Sequence, residues 1–303
     1  MDLGRVGFES EPKRITWAPN DCSLYALSLG SGFDELAFVA EEAIGCPQMV
    51  FPTFVLAGVM SHESASWTHP GFHTGDYEVH QIVHGEQSLE LFDRVEPSGD
   101  VMVRTRVAGI YDKGSGALVE LDVRADHRES GKPLFSAITS LFVRGEGGFG
   151  GPPAPRRANA IAPDRSPDFE VDYPTLEVQS LLYRHGGHDP HPIHVDPEVA
   201  RRGGMKAPIL MGLNTLGMAG RAVLHSVGGS EPDSLRSLSG RFANPAFNGD
   251  TLTTQIWVVE SDGERGAGSG RDGTRDVIYR VLNQQGVVLL DRGHALMSSR
   301  KWD

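Results

Sequence analysis

The chain has 303 residues, of which 39% are hydrophobic and 22% charged, and this ordinary globular composition predicts two domains or one large one. Its formal net charge is −12 and no run of Lys and Arg stands out, which excludes general nucleic-acid binding, because phosphate neutralisation needs a basic face. The longest apolar stretch, residues 49–60, is too short to cross a bilayer and contains Pro52, so we expect no membrane insertion.

The first half begins with a short helical segment and continues with strands. Asn20 can cap a helix over DCSLYALSLG that stops at Gly30, and the Pro-led apolar run PTFVLAGVM follows it. Four runs then alternate apolar and polar residues or are rich in β-branched residues, which is typical of strands. These runs are QIVHGEQSLELF, DVMVRTRVAGIY, ALVELDVRAD and PLFSAITSLFVRG.

A Gly/Pro-rich tract at residues 145–167 separates this half from a second one with the same order of signals. The second half has a Pro-led run of helical length from Pro208, and four strand-like runs follow it: SLRSLSGRF, DTLTTQIWVVE, RDVIYRVLN and VVLLDRGHALMSS. Two copies of a long helix wrapped by an antiparallel sheet would explain this weak repetition. Chance similarity of turns is the alternative, because turn chemistry is generic.

The densest cluster of chemically active side chains is YRHGGHDPHPIHVDP, residues 183–197, where four of the chain's 12 histidines fall within ten residues. Three prolines forbid a regular helix, so we expect a loop. Three interpretations remain open: a metal site, an exposed polar loop without chemistry, and a general acid/base pair of a carboxylate and an imidazole. The metal interpretation is weakened because the prolines remove the helical face that would align the ligands.

The residues after the cluster predict two helix starts. Asp196 and Pro197 are typical of an N-cap and a first helical position. A long apolar helix is predicted from Pro208, and backbone N–H groups near Met211 and Gly212 would lie unsatisfied at its start. Together with the helix dipole, these groups could stabilise a developing oxyanion.

At this point the residues resemble a family, the R-specific enoyl-CoA hydratases of the hydratase 2 or MaoC-like type. Their signature is roughly Y-R-x-S-G-D-x-N-P-L-H-I-D-P followed by G-F-x-x-P-I-L-H-G-L, and here it stands as YRHGGHDPHPIHVDP and GGMKAPILMGLNTLG. The resemblance implies that Asp189 and His194 are the catalytic pair and that Gly212 lies at the oxyanion hole. RFANPAFNGDTL resembles a further family motif.

The resemblance covers nearly the whole chain and implies a double hot-dog fold of the α+β class. Residues 1–150 are similar to a degenerate N-terminal repeat that lacks the pair and shapes the acyl pocket. Residues 151–170 are then the linker, and residues 171–303 the catalytic repeat. The carried-over motifs of the first repeat are NDCSLYALSLG, PTFVLAG, VHGEQSLEL, DKGSGALV and FVRGEGGFGG.

Departures from the family pattern surround the pair. His188 stands where a Gly is expected, His191 where an Asn is usual, and Met211 where a His is common. We interpret His191 and Met211 as substrate-binding, together with Tyr183, Arg184 and Arg241. For the two arginines, positioning of phosphate or of a neighbouring loop competes with a structural salt bridge.

The implied function is (3R)-specific hydration of trans-2-enoyl-CoA thioesters, in fatty-acid or sterol side-chain β-oxidation. Coenzyme A would then be part of the substrate, with no metal and no redox cofactor. We expect a cytoplasmic homodimer, and we expect Cys22 and Cys46 to be reduced and buried, because the N-terminus lacks the apolar core of a signal peptide and the C-terminus is not a peroxisomal address. The alternatives are a hot-dog acyl-CoA thioesterase, a non-catalytic acyl-thioester-binding subunit of a hydratase complex, and a metal-dependent hydrolase.

Overall fold

Within residues 1–43, 45–63, 72–155, 160–259, 273–300 and 302, which the computed structural model describes, ten strands form one antiparallel sheet. In chain order they are β1 Lys13–Trp17, β2 Ile82–Leu91, β3 Gly99–Asp112, β4 Gly116–His127, β5 Pro133–Arg144, β6 Phe169–Pro174, β7 Leu235–Phe242, β8 Thr251–Val259, β9 Thr274–Asn283 and β10 Val288–Ser298. Eight of them are the strands that the alternation of apolar residues predicts.

The strand order of the sheet repeats across its middle. It runs β1-β3-β4-β5-β2 and then β7-β10-β9-β8-β6, so each half has an edge strand, three long strands and a strand at the central seam. At the seam, β2 pairs antiparallel with β7, with Glu86 opposite Arg241. The internal repetition is therefore a duplicated architecture, as a double hot-dog fold requires.

Six α-helical segments lie in the part of the chain that the structure describes. They are α1 Pro19–Ser28, α2 Leu36–Val39, α3 Met60–Glu63, α4 Gln179–Gly186, α5 Pro197–Arg202 and α6 Gly212–Val227. Helix α6 is buried from Asn214 to Leu224 and packs against the strands of the second half. The corresponding segment of the first half is a turn of π-helix, Val55–Val59, that leads into α3. The larger of two hydrophobic clusters joins α1, α2, α3, α4 and α6 to both halves of the sheet, and the smaller one lies in the first half.

Two predicted helix boundaries are wrong, and each has a local cause. Helix α6 begins at Gly212 instead of Pro208, because Ile209 forms a β-bridge with Phe247 and the next residue donates its N–H to the carbonyl of Ala246. Helix α1 begins at Pro19, so Asn20 lies inside it and is not its cap. The carboxylate of Asp21 accepts the N–H of the flanking Ala18 at 2.8 Å instead.

The edge strands β1 and β6 and helix α4 are absent from the sequence-based prediction. The two strands are only five and six residues long, so their alternation is too short to stand out. Strand β6 begins at Phe169, inside the predicted linker, and the division into domains stays a prediction. Both cysteines are free; Cys22 is buried and Cys46 partly buried. No helix among the described residues is long and apolar enough to cross a membrane.

Candidate active site

The histidine-rich segment is a loop between α4 and α5. It contains one turn of 3-10 helix, Pro192–His194, and then passes directly into α5, whose N-cap Asp196 accepts the N–H groups of Glu198 and Val199. This confirms the predicted loop and the predicted start of α5. His188 adopts φ +52°, the left-handed conformation that glycine occupies most easily. This conformation explains why the family usually has a glycine at this position. His188 adopts it with some backbone strain, directly before Asp189.

Asp189 and His194 come together in this loop. One oxygen of the Asp189 carboxylate, Oδ1, accepts the backbone N–H of His191 at 2.9 Å. The other, Oδ2, lies 3.7 Å from Nε2 of His194. The Asp189 side chain is 28% exposed and that of His194 is 12% exposed, so most of the pair lies below the surface. At 3.7 Å the two atoms do not hydrogen-bond directly, but both can contact one water molecule.

The tautomer of His194 follows from its second partner. Nδ1 lies 2.9 Å from the carbonyl oxygen of Ile209, which can only accept, so Nδ1 carries the proton of the neutral ring. Nε2 then presents a lone pair on the side of Asp189. Burial lowers the pKa of His194 below its usual range, although the Asp189 charge and the Ile209 carbonyl act in the opposite direction. The ring is therefore a neutral base near pH 7.

The His191 side chain stabilises the loop, and its ring also contacts that of His194 edge-to-face, with centroids 5.7 Å apart. Its Nδ1 accepts the N–H of Ile193 at 3.2 Å and so caps the 3-10 turn that carries His194. Nδ1 of His191 thus accepts the hydrogen bond that the side-chain oxygen of Asn, the usual residue in the family, would accept at this position. This role requires a neutral ring, and burial, reinforced by the proximity of His194, lowers the pKa of His191. The structure thus explains one departure from the family pattern.

Gly212 is the first residue of α6, with Met211 as the N-cap. Its N–H belongs to the first turn, whose N–H groups have no partner within the helix. A Cβ built on Gly212 would lie 3.1 Å from two ring carbons of Phe242, so the absence of a side chain lets the backbone and this ring approach closely. The Ile209 carbonyl that binds His194 lies three residues earlier, so one segment carries both features.

The remaining predicted site residues are Tyr183, Arg184, Met211 and Arg241, and they differ in burial and in contacts. Tyr183 is buried, and its hydroxyl has no hydrogen-bond partner among the residues that the structure describes. Arg184 donates Nη1–H to the carbonyl of Pro190 at 2.8 Å, which supports positioning of the loop. Met211 is buried in the core. Arg241 is exposed, and strand alternation places it on the opposite face of β7 from Phe242, so the structure does not bring it to the pair.

Sequence reasoning missed His84 and Phe242. His84 lies on β2, in the other half of the chain, and its ring contacts that of Phe242 edge-to-face with centroids 4.8 Å apart. Burial lowers the pKa of His84 to about 4, against the raising effects of the hydrogen bond that its ring donates to Gln87 and of the charge of Asp189. A glycine inside a strand, here Gly85, is the signal that could have found it, because such glycines often mark bulges.

The described residues contain no group of three or more His, Cys, Asp or Glu side chains arranged to hold a metal ion.

Comparisons with known proteins identify the family of the chain. Residues 158–277 match the model of the MaoC like domain, and residues 16–145 match that of the MFE-2 hydratase 2 N-terminal domain. The 3-hydroxyacyl-thioester dehydratase Y of Mycobacterium tuberculosis is 38% identical over 263 residues, 86% of this chain and 88% of that protein. The probable enoyl-CoA hydratase 2 of Dictyostelium discoideum is 34% identical over 260 residues, 84% and 86% of the two chains.

A solved structure extends the likeness to the whole fold. The MaoC-like dehydratase from Phytophthora capsici superposes with a TM-score of 0.83 at 27% identity, over 99% of this chain and 100% of that one. Two family models together span most of the sequence, and curated relatives above 30% identity match most of their own length. The chain therefore belongs to the MaoC-like hydratase 2 family of enzymes.

Proposed function

We propose that this chain is an enoyl-CoA hydratase of the hydratase 2 type, which adds water to the double bond of a trans-2-enoyl thioester and gives the (3R)-hydroxyacyl thioester. The observation that carries this proposal is the pair of acceptors, Asp189 Oδ2 and His194 Nε2, held 3.7 Å apart beside the start of α6. The relatives' names, a hydroxyacyl-thioester dehydratase and an enoyl-CoA hydratase 2, describe the two directions of this reaction.

The pair would orient the attacking water. Two acceptors 3.7 Å apart can each receive one O–H of the same water, which leaves an oxygen lone pair for the β-carbon of the substrate. As the C–O bond forms, the proton of the water moves to Nε2 of His194. That proton then passes from Nε2 of His194 to Oδ2 of Asp189, 3.7 Å away, and the protonated Asp189 donates it to the α-carbon, so both side chains end the cycle as they began it.

The start of α6 would stabilise the charge that develops during addition. Attack at the β-carbon moves electron density onto the thioester oxygen, and the Gly212 N–H at the positive end of the helix can donate to it. Such a donor contributes to the transition state more than to the ground state, because the oxygen becomes more negative as the reaction proceeds. We propose that no metal or redox cofactor takes part, since every proton transfer has a side chain available.

Turnover of a trans-2-enoyl-CoA tests this function. The purified chain is expected to bleach the absorbance of the conjugated thioester, to give a product oxidised by a (3R)-specific but not a (3S)-specific hydroxyacyl dehydrogenase, and to keep its rate in excess chelator. Release of free thiol from a saturated acyl-CoA would instead indicate a thioesterase. Binding without turnover would indicate a non-catalytic subunit, and loss of the rate on chelation a metal-dependent enzyme.

We also propose that the chain is a cytoplasmic homodimer. Support for the dimer comes from α1 and α4, which pack together and leave Leu24, Leu27, Leu181 and Leu182 exposed, an arrangement that a second copy could cover. The two free cysteines support the location, because reduced thiols are typical of the cytoplasm. Sedimentation at micromolar concentration is expected to give twice the chain mass, and Leu27→Glu with Leu181→Glu is expected to give the monomer. A monomeric wild-type chain would contradict the dimer.

A further inference from the structure

A β-bulge redirects one side chain of β2. Gln87, Leu89 and Leu91 alternate with more exposed residues and point into the molecule. Strict alternation would put His84 on the outer face, with Glu86 and Ser88. The pairing with β5, however, shifts register between His84 and Glu86, so Gly85 is an extra residue opposite Leu141 and Ser140. This insertion reverses the face, and bulges characteristically redirect side chains beside functional sites.

The redirected ring is held in place from within its own repeat. Nε2 of His84 lies 3.1 Å from Oε1 of Gln87, which also accepts the hydroxyl of Thr139 at 2.9 Å. The amide nitrogen of Gln87 donates to the carbonyl of Ser88 at 2.9 Å, so its oxygen is available only as an acceptor. Nε2 of His84 therefore carries the proton of the neutral ring, and the orientation of the ring is determined by two strands of the first repeat.

On its other side the ring meets the catalytic repeat. The His84 edge contacts Phe242 at a centroid distance of 4.8 Å and an interplanar angle of 66°. Phe242 in turn packs on Gly212, since two of its ring carbons lie 3.1 Å from where a Cβ would be. His84, Phe242 and Gly212 thus form a continuous stack from the first repeat to the start of α6. Asp189 is close enough for its charge to act on the His84 ring.

We propose that His84 is a positioning residue for the hydration reaction: through it the N-terminal repeat, which has no catalytic pair of its own, holds Phe242 against Gly212 and so sets where the thioester oxygen is received. This inference rests on the proposed function. Its physical basis is that a displacement of a reacting group by about 1 Å can cost roughly 100-fold in rate. The neutral state of the ring near pH 7 fits an apolar contact with Phe242.

Three variants, assayed on a trans-2-enoyl-CoA, test the proposal. His84→Ala removes the edge that supports Phe242, and we expect kcat to fall roughly 10- to 100-fold with KM changed less than about 3-fold. His84→Phe keeps an aromatic edge without the hydrogen bond to Gln87, and we expect it to recover kcat to within about 5-fold of wild type. His127→Ala is the matched control: this partly buried histidine is the last residue of β4 in the same repeat, and its Nε2 lies 3.1 Å from Oδ2 of Asp93.

The outcomes separate positioning from a general structural role. If His84 has only a structural role, His84→Ala will lower the unfolding temperature and the amount of active protein, while kcat per folded chain stays within about 2-fold of wild type. That result overturns the proposal. A His84→Phe variant as slow as His84→Ala overturns it too. Absence of turnover in the wild-type chain would sink the proposed function instead. The crystal structures of the variants then decide: Phe242 is expected to leave Gly212 in His84→Ala and to stay in His84→Phe, and an unmoved ring in both refutes the inference.

Discussion

Asp189→Asn and His194→Gln are each expected to lower kcat by about 10²–10⁴-fold, with little change in the unfolding temperature. Asn at 189 keeps the shape but loses one acceptor, so the water is no longer held by two lone pairs. Gln at 194 loses the base altogether. Steady-state rates on one enoyl-CoA, with circular dichroism of each variant, measure the effect. Near-wild-type turnover in either variant would contradict the assignment of the pair.

His191→Asn is the matched control for these two changes. The amide oxygen of Asn can accept the Ile193 N–H that Nδ1 of His191 accepts now, so the turn carrying His194 should persist and kcat should stay within a few-fold of wild type.

The pH dependence of kcat/KM is a second check on the assignment of His194 as the base. The base must be neutral, and burial lowers the pKa of His194 from its ordinary 6.5, so kcat/KM is expected to fall only below about pH 6.5 as acid is added. A fall that begins well above pH 7 would contradict the neutral base.

Glu35→Gln is expected to lower the free energy of unfolding by about 3–5 kcal/mol, because it leaves a buried cation without its partner. Arg221 on α6 contacts the Glu35 carboxylate through Nη2 at 2.8 Å and Nε at 3.1 Å, and His225 lies 2.6 Å from the same carboxylate. The Arg221 side chain is 10% exposed and that of Glu35 is 14% exposed. Arg221 also donates to the carbonyl of Leu29, so this cluster joins α6 to the first repeat.

Acid should remove the same stabilisation. Burial raises the pKa of Glu35, but hydrogen bonds from His225 and Arg221 outweigh it and bring the pKa to about 2, against an ordinary value of 4.5. A carboxyl whose folded pKa is lowered stabilises the fold above pH 4.5 and loses that contribution as the pH falls towards 2. The difference in unfolding free energy between wild type and Glu35→Gln should therefore narrow from pH 5 to pH 3 in denaturant titrations.

The control for this cluster is an ion pair of the same chemistry at the surface. Glu198 pairs with Arg201 and Arg202 on α5, and its side chain is 49% exposed. Glu198→Gln should change the unfolding free energy by less than about 1 kcal/mol, because exposed pairs are screened by solvent. Equal unfolding midpoints for Glu35→Gln and wild type, or a gap that stays constant in acid, would show that the buried cluster does not stabilise the junction.

The loop and the long strands could be predicted from the sequence because their signals are local. The prolines around His194 exclude a helix whatever surrounds them, and strands of eight or more residues show their alternation clearly. The start of α6 could not be located, because the bridge between Ile209 and Phe247 overrides the Pro208 signal. The contact of His84 with Phe242 depends on a bulge and on pairing between strands from different halves, and neither follows from alternation.

The seam between β2 and β7 has a consequence for how the chain is made. On the ribosome, β2 is synthesised long before its partner β7, with the whole catalytic loop and α6 in between. Until then β2 is an open edge with unpaired N–H and C=O groups, available to another nascent chain. Where the N-terminal repeat folds before the second one is made, we expect this edge to stay open until β7 pairs with it, so the half without the catalytic pair depends on the catalytic half to cover it.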